Sequence, residues 1–267
     1  MGAFHPICVQ STLLGAQEVN SELRNDSNLS WVLISGAGLS YGALTYLEDD
    51  LAPNKCRWCS SNSLDASARN QLRWSNTSLA NNVSHLTGFV LSPAFAFASH
   101  AWLDWWENRI GQFYEEALII SEATLVAALT GELIQLSVGR QRPEAHFNAS
   151  APQGASQNTS FYSGHTTIAF ALAASSGTLA TLRNRSEAPY IWTGGLILSS
   201  LTAYLRVAAD RHYLTDVITG AVVGSLIGFS LPYFLHSPKV FEEKASSVQI
   251  LLLPNSSGLM AAASWAW

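Results

Sequence analysis

The sequence predicts an all-α protein folded as a six-helix transmembrane bundle. Three observations carry that expectation. Nearly half of the 267 residues (48%) are hydrophobic and only 12% are charged, about half the charged share usual in a soluble domain. Six stretches are apolar over close to the roughly 20 residues that cross a bilayer. Nine tryptophans fit a chain that meets lipid. On composition alone, the alternative is a soluble all-α protein with unusually buried helices. The net charge of −5 leaves no basic footprint, which argues against a nucleic-acid partner.

Taken in order, residues 1–28 form an N-terminal segment in which Glu18, Glu22, Arg24 and Asp26 precede the first span. No basic start followed by an apolar core is present, so this segment is not read as a cleaved signal peptide. The membrane domain, residues 29–238, follows. Its spans run from about Leu29 to Leu47, Leu86 to Leu103, Ala117 to Val138, Thr166 to Leu182, Tyr190 to Leu205 and Val217 to His236. Only the third carries acids, Glu122 and Glu132. The fourth and fifth are short and rich in Ala, Gly, Ser and Thr, a composition that lets helices approach closely inside a bundle. In the long loop 48–85, Leu64 to Trp74 reads as an amphipathic helix with Leu64, Ala68 and Leu72 on one side, lying at the membrane surface over the site. The tail 239–267 alternates weakly around Pro254 to Gly258, which reads as a hairpin or a disordered end.

With six spans, the loops after the first, third and fifth share one face of the membrane. Both termini and the other loops lie on the opposite face. The shared face carries Lys55, Arg57, Arg69, Arg73, Arg140, Arg142, Arg206 and Arg211, against Arg24, Arg109, Arg183, Arg185, Lys239 and Lys244 opposite. Eight against six gives no orientation by the positive-inside rule. The pair Cys56 and Cys59 lies on the shared face. A C-x-x-C pair is a redox pair, half a zinc site or a small-loop disulfide; no second ligand pair accompanies it, and a structural disulfide places this face outside the cytoplasm.

Three polar patches stand out against these apolar helices, and all fall on that same face. The first is Gly139-Arg140-Gln141-Arg142-Pro143, the second Ser163-Gly164-His165, and the third Arg206 with His212 and Asp216. His212 and Asp216 are four apart at the start of the sixth helix. That spacing puts them on one helical face, where Asp216 accepts a proton from one imidazole nitrogen and leaves the other free to attack phosphorus. Arg206 offers a planar fork of donors to phosphate oxygens. Backbone N–H groups at a helix start, with the Ser163 hydroxyl and the bare Gly164 backbone, make an anion cradle, and His165 is placed to protonate a leaving oxygen. Each patch alone has a plainer reading: a capping His–Asp pair, an ordinary Ser N-cap, arginines snorkelling to headgroups. Their convergence on one face is what points to phosphoryl chemistry.

The order and spacing of these patches resemble the type 2 phosphatidic acid phosphatase superfamily, which also contains vanadium haloperoxidases and bacterial acid phosphatases. Its pattern, Lys-x6-Arg-Pro, Pro-Ser-Gly-His and Ser-Arg-x5-His-x3-Asp, is matched here by Gln135 through Arg142-Pro143, Tyr162-Ser163-Gly164-His165, and Leu205-Arg206 through His212 to Asp216. The likeness covers about Ala117 to Pro232, and the six-span layout is similar to the integral-membrane branch. It implies a phosphatase that needs no metal or cofactor and hydrolyses a phosphomonoester or pyrophosphate of a membrane lipid. In that scheme His212 is the nucleophile that becomes phosphohistidine, Asp216 orients it, and His165 is the acid and then the base. Arg142, Arg206, Ser163 and Gly164 bind the phosphoryl oxygens, with Gln135 and Arg140 as lesser contacts. Phosphatidic acid, phosphatidylglycerol phosphate, undecaprenyl pyrophosphate and a lipid A phosphate all fit, entering sideways with the chain still in lipid. Three positions depart from the pattern: Tyr162 replaces the proline, Leu205 the serine and Gln135 the lysine. Glutamine donates a hydrogen bond but brings no charge, so a silent lipid-phosphate binder is one alternative. A vanadate-dependent haloperoxidase is the other, and the apolar spans argue against it.

Overall fold

The computed structural model describes residues 23–24, 26–148, 150, 154–238, 249–255 and 258–264. The N-terminal segment, up to residue 22, lies outside the described residues. Among the described residues, six long helical runs occupy the expected places. Asp26 accepts the Leu29 N–H (3.2 Å) and starts α1, Ser27–Tyr46, which leads into the single turn α2, Glu48–Leu51. Asn62 caps α3, Ser63–Leu72, and Asn76 caps α4, Thr77–Leu86. A π-helical turn, Thr87–Leu91, joins α4 without a break to α5, Ser92–Trp106. Its cause is local: Pro93 has no N–H to give to the turn before it, and the Ser92 N–H reaches back five residues to the Thr87 carbonyl.

The chain continues through α6, Ile110–Val138, which Gly139 ends at φ +64°, and the short α7, Pro143–Phe147. Then come α8, Gly164–Leu182, α9, Ala188–Ala208, and α10, Leu214–His236. The tail forms an antiparallel hairpin of β1, Gln249–Asn255, and β2, Gly258–Ser264, with Asn255 opposite Gly258. Among the described residues, three helices are long and apolar enough to cross a membrane: Thr77–Trp106, Ile110–Val138 and Leu214–His236.

Helix α8 lies at the centre, with α5, α6, α9 and α10 packed around it, while α1 packs on α6. Nearly every α8 side chain is buried, and these are mostly Ala, Ser, Thr and Gly. The closest seam is with α10, where Gly220, Gly224 and Gly228 ride on the α8 backbone at Ser163, Thr167 and Ala171. A Cβ on Gly220 would stand 2.8 Å from the Ser163 carbonyl oxygen, so only glycine permits this approach. The seam sets the start of α8 directly against the start of α10.

The three loops expected on one face do meet at one end of the bundle. Backbone bonds tie them together: Arg57 N–H to the Gly139 carbonyl (2.9 Å), Trp74 N–H to Ala208 (3.0 Å), Glu144 N–H to Asp210 (3.1 Å) and Ser163 N–H to Asp216 (3.2 Å). The loop helix exists as α3. Leu64 is exposed, while Asp65 is fully buried and Arg69 binds Asp210 at 2.6 Å through each of two nitrogens. The helix is held by ion pairs to the α9–α10 turn, so its inward side is polar. The far end of the bundle holds a second buried charge network. There Arg185 pairs with Asp104 and Glu116, Arg183 with Glu115 and Glu116, and His100 with Glu116.

A side chain at Gly224 must push α10 off α8. Gly224→Ala is expected to lower stability by about 1–3 kcal/mol. Gly36→Ala, where nothing lies within 4 Å of the added carbon, should leave the melting temperature in detergent unchanged or slightly raised. Thermal unfolding of the two variants side by side checks the seam.

Candidate active site

The loops and helix ends enclose a cavity of about 330 Å³. Tyr41 and Thr45 of α1 and Glu48 of α2 line one side, with Glu132 and Gln135 of α6. Asn81 and His85 of α4 and Phe89 of the π turn line another. Arg142, Gly164, His165, Arg206, Arg211 and His212 complete it. Of the residues expected to bind phosphate or react, Arg142, Arg206, Gly164, His165, His212 and Gln135 are therefore together.

His212 sits in the turn between α9 and α10, almost fully buried. Its Nδ1 is 2.7 Å from the Ser160 carbonyl oxygen, which can only accept. Nδ1 thus carries the proton, and Nε2 keeps its lone pair. Burial, with Arg206 and Arg142 close by, holds its pKa well below the usual histidine value. The ring is a neutral base in the free protein.

Asp216 does not hold this ring directly, contrary to the expectation from spacing. Its carboxylate is 3.9 Å from His212 Nδ1. It accepts instead from Ser160 Oγ (2.6 Å), the Tyr213 N–H (2.9 Å) and Arg140 Nη1. The reason is the helix boundary. α10 begins at Leu214, so His212 lies outside it and the four-residue helical spacing does not apply. Asp216, in the first turn, reaches back to cap the helix. Asp216 reaches His212 through Ser160, whose hydroxyl it binds and whose carbonyl holds the imidazole.

Arg140 also departs from the expectation. It is fully buried and does not line the cavity. Its guanidinium bridges Asp216 and Asp65 (2.7 Å), binds Thr215 Oγ1 (2.8 Å), and is stacked between the rings of Trp58 and Tyr213, each 4.0 Å away. Committed to two carboxylates, it is not available to a phosphate. Ser163 is likewise set back. It is fully buried, does not line the cavity, and its Oγ accepts from Thr166 Oγ1 (3.0 Å). Its neighbours contribute the lining, and the first N–H groups of α8 there have no helical acceptor.

Arg142 and Arg206 are different from Arg140. Arg142 donates to the Ser156 carbonyl (2.9 Å) and Thr159 Oγ1 (3.0 Å). Arg206 donates to Asn81 Oδ1 (2.8 Å) and Ser84 Oγ (3.0 Å). Among the described residues, neither has a carboxylate partner, and Arg206 Nε has no acceptor. Burial, with Arg211 nearby, lowers the Arg142 pKa to about 10, still a cation at neutral pH. Arg211 also lines the cavity and pairs with Glu144. Two buried guanidiniums without acids call for an anion. Gln135 lies over the α8 start, where a Cβ on Gly164 would be 3.1 Å from its Nε2.

Cys56 and Cys59 are joined, with Cα atoms 5.4 Å apart. The residues between them close on the first patch. Arg57 and Trp58 donate to the Gly139 carbonyl, and Trp58 covers Arg140.

Sequence reasoning did not identify Asp65, Ser160, Arg211, Asn81 or His85 as site residues. Arg211 adjoins His212, and Asn81 and His85 stand four apart beside an apolar run, so those three had a local signal. Asp65, in the short helix α3, and Ser160, in a loop, are single polar residues bound to partners far along the chain.

With that geometry in place, comparison with known proteins is direct. A model of the PAP2 superfamily matches residues 116–238. A lipid A 1-phosphatase of Porphyromonas gingivalis is 36% identical over 114 residues, 42% of this chain. The match spans only 22% of that relative's length. A crystal structure of a transmembrane PAP2-type phosphatidylglycerolphosphate phosphatase from Bacillus subtilis aligns with a TM-score of 0.44 at 16% identity, covering 82% of this chain and 100% of that one.

Removing one member of the buried triad leaves an uncompensated charge. Asp65→Ala is expected to cost about 3–5 kcal/mol and to lower the melting temperature accordingly. Arg140→Lys should also be destabilising, because a single ammonium cannot replace the fork that bridges both carboxylates. Unfolding curves of Asp65→Ala, Arg140→Lys and the wild type, measured in one detergent, check both.

Proposed function

We propose that this chain is a metal-independent lipid-phosphate phosphatase that crosses the membrane six times and works through a phosphohistidine. One observation carries the reading: buried Arg142 and Arg206, without acids of their own, share a cavity with a neutral His212 whose Nε2 is free. A cavity charged in this way suits a phosphate, and its place at one end of a bundle of apolar helices suits one attached to a lipid.

In the proposed reaction, His212 Nε2 attacks phosphorus while the bond to the leaving oxygen breaks. His165 gives that oxygen a proton. Water, losing a proton to His165, then attacks the phosphohistidine, and the P–N bond breaks to release phosphate. Arg142, Arg206, the α8 N–H groups and the Gln135 amide hold the phosphoryl oxygens as negative charge builds on them. Ser163 acts by shaping the α8 start at Gly164.

Six crossings are supported by where the shorter helices lie. α8 has 19 residues, long enough for roughly 28 Å at ~1.5 Å per residue, and its central position removes the need for an apolar outer face. The Cys56–Cys59 link favours an extracytoplasmic active face. Among substrate classes, a lipid A 1-phosphate is suggested by the lipid A 1-phosphatase relative. Gln135 favours a second reading, a binder that does not turn over.

Phosphate release by detergent-purified protein from a panel of lipid phosphates tests the proposal. Release should fall to background in His212→Ala. Gln135→Lys, which adds a charge at the α8 start, should raise kcat if the enzyme is active and slow. No release from any lipid by wild type or Gln135→Lys would establish the silent binder. The pH profile has a defined sign as well. His212 in the free enzyme protonates only below its ordinary value of about 6.5, so the acid limb of kcat/KM assigned to it should lie below pH 6.5.

A further inference from the structure

Pro93 opens the helix into a π turn, and that turn grips the second histidine of the site. His85 Nδ1 is 3.0 Å from His165 Nε2. The Phe89 ring packs on the His165 ring at 4.3 Å, and the His85 ring lies 4.7 Å away. A Cβ on Gly88 would lie 3.7 Å from His165 Cδ2, so the backbone of the turn closes the remaining side. Two imidazole nitrogens at this separation hold one proton between them, since two N–H groups would collide and two lone pairs would repel.

We infer that His85 and His165 share a proton as one acid–base unit, with His85 the positioning residue that lets His165 serve as an acid among arginines. This rests on the phosphatase reading above. The groups around the pair are Arg206 from α9, Arg211 and His212 from the following turn, Arg142 from the loop, Glu132 from α6, Glu48 from α2 and Tyr41 from α1. Three guanidiniums oppose a positive ring at His165. A neutral His85 offers its Nδ1 lone pair to the His165 N–H and spreads the excess proton over two rings. In the first half-reaction the leaving oxygen takes that proton as its bond to phosphorus breaks. In the second, the attacking water returns one to the pair as the P–N bond breaks, and the unit ends as it began.

The test compares two soluble esters on the full chain in detergent: p-nitrophenyl phosphate, whose phenolate leaves without a proton, and hexyl phosphate, whose alkoxide needs one. In His85→Ala, kcat for hexyl phosphate should fall about 10- to 100-fold with KM little changed, and its alkaline limb should move to lower pH. The p-nitrophenol burst should keep its wild-type rate. His85→Asn keeps an acceptor near the Nδ1 position but cannot take up a proton, and it should be as slow as His85→Ala. A p-nitrophenol burst in His85→Ala slowed as much as hexyl phosphate turnover, or full activity in His85→Asn, overturns the inference. His212→Ala separates the two levels of the argument. If that variant still hydrolyses both esters, the phosphatase reading itself fails. If it is dead while His85→Ala matches wild type, only the pairing fails.

Discussion

Taking a guanidinium out of water costs several kcal/mol unless carboxylates replace the solvent, and Arg140 meets that condition by bridging Asp65 and Asp216 under the rings of Trp58 and Tyr213. The bridge joins segments that are distant along the chain: a loop helix, the end of α6 and the start of α10. Once formed, it fixes Asp216, which binds Ser160 and the Tyr213 N–H, and Ser160 in turn fixes the His212 tautomer. The geometry of His212 is thus inherited from an ion pair it does not touch.

The arginines of the active end divide into two kinds by what faces them. Arg140 is neutralised by acids and serves the fold. Arg142 and Arg206 are held by carbonyls, an amide and hydroxyls, which position a guanidinium without cancelling its charge. Their positive potential falls on the cavity and is what depresses the basicity of His212 beyond the effect of burial. In the proposed reaction a phosphate meets donors already in place, the arrangement that lowers a barrier rather than merely tightening binding. Gln135 keeps a donor at the α8 start but supplies no charge, so the arginines carry the electrostatic load.

Much of the plan was legible along the chain because it depends on local features. Apolar length located the six helices, and loop alternation put three polar patches at one end. The errors came where a contact depends on the helix boundary or on a distant partner. Four-residue spacing between His212 and Asp216 implied a direct bond, but the helix starts after His212. Arg140 and Arg142 are indistinguishable in a run such as Gly-Arg-Gln-Arg-Pro, and Asp65 separates them by claiming one. The apolar spacing of Leu64, Ala68 and Leu72 located α3, but not the ion pairs that turn Asp65 and Arg69 inward.

By itself the sequence determined the all-α character, the positions of the long helices and the residue types gathered for phosphoryl chemistry, because hydrophobic length, capping residues and motif spacing are properties of short segments. Tertiary structure alone decided which arginine is structural and which faces the cavity, that His212 is held by Ser160, and that the Pro93 turn brings His85 to His165. Those outcomes depend on which charges meet when α8 closes on α10 along its glycine seam, and a one-dimensional pattern carries no record of that meeting.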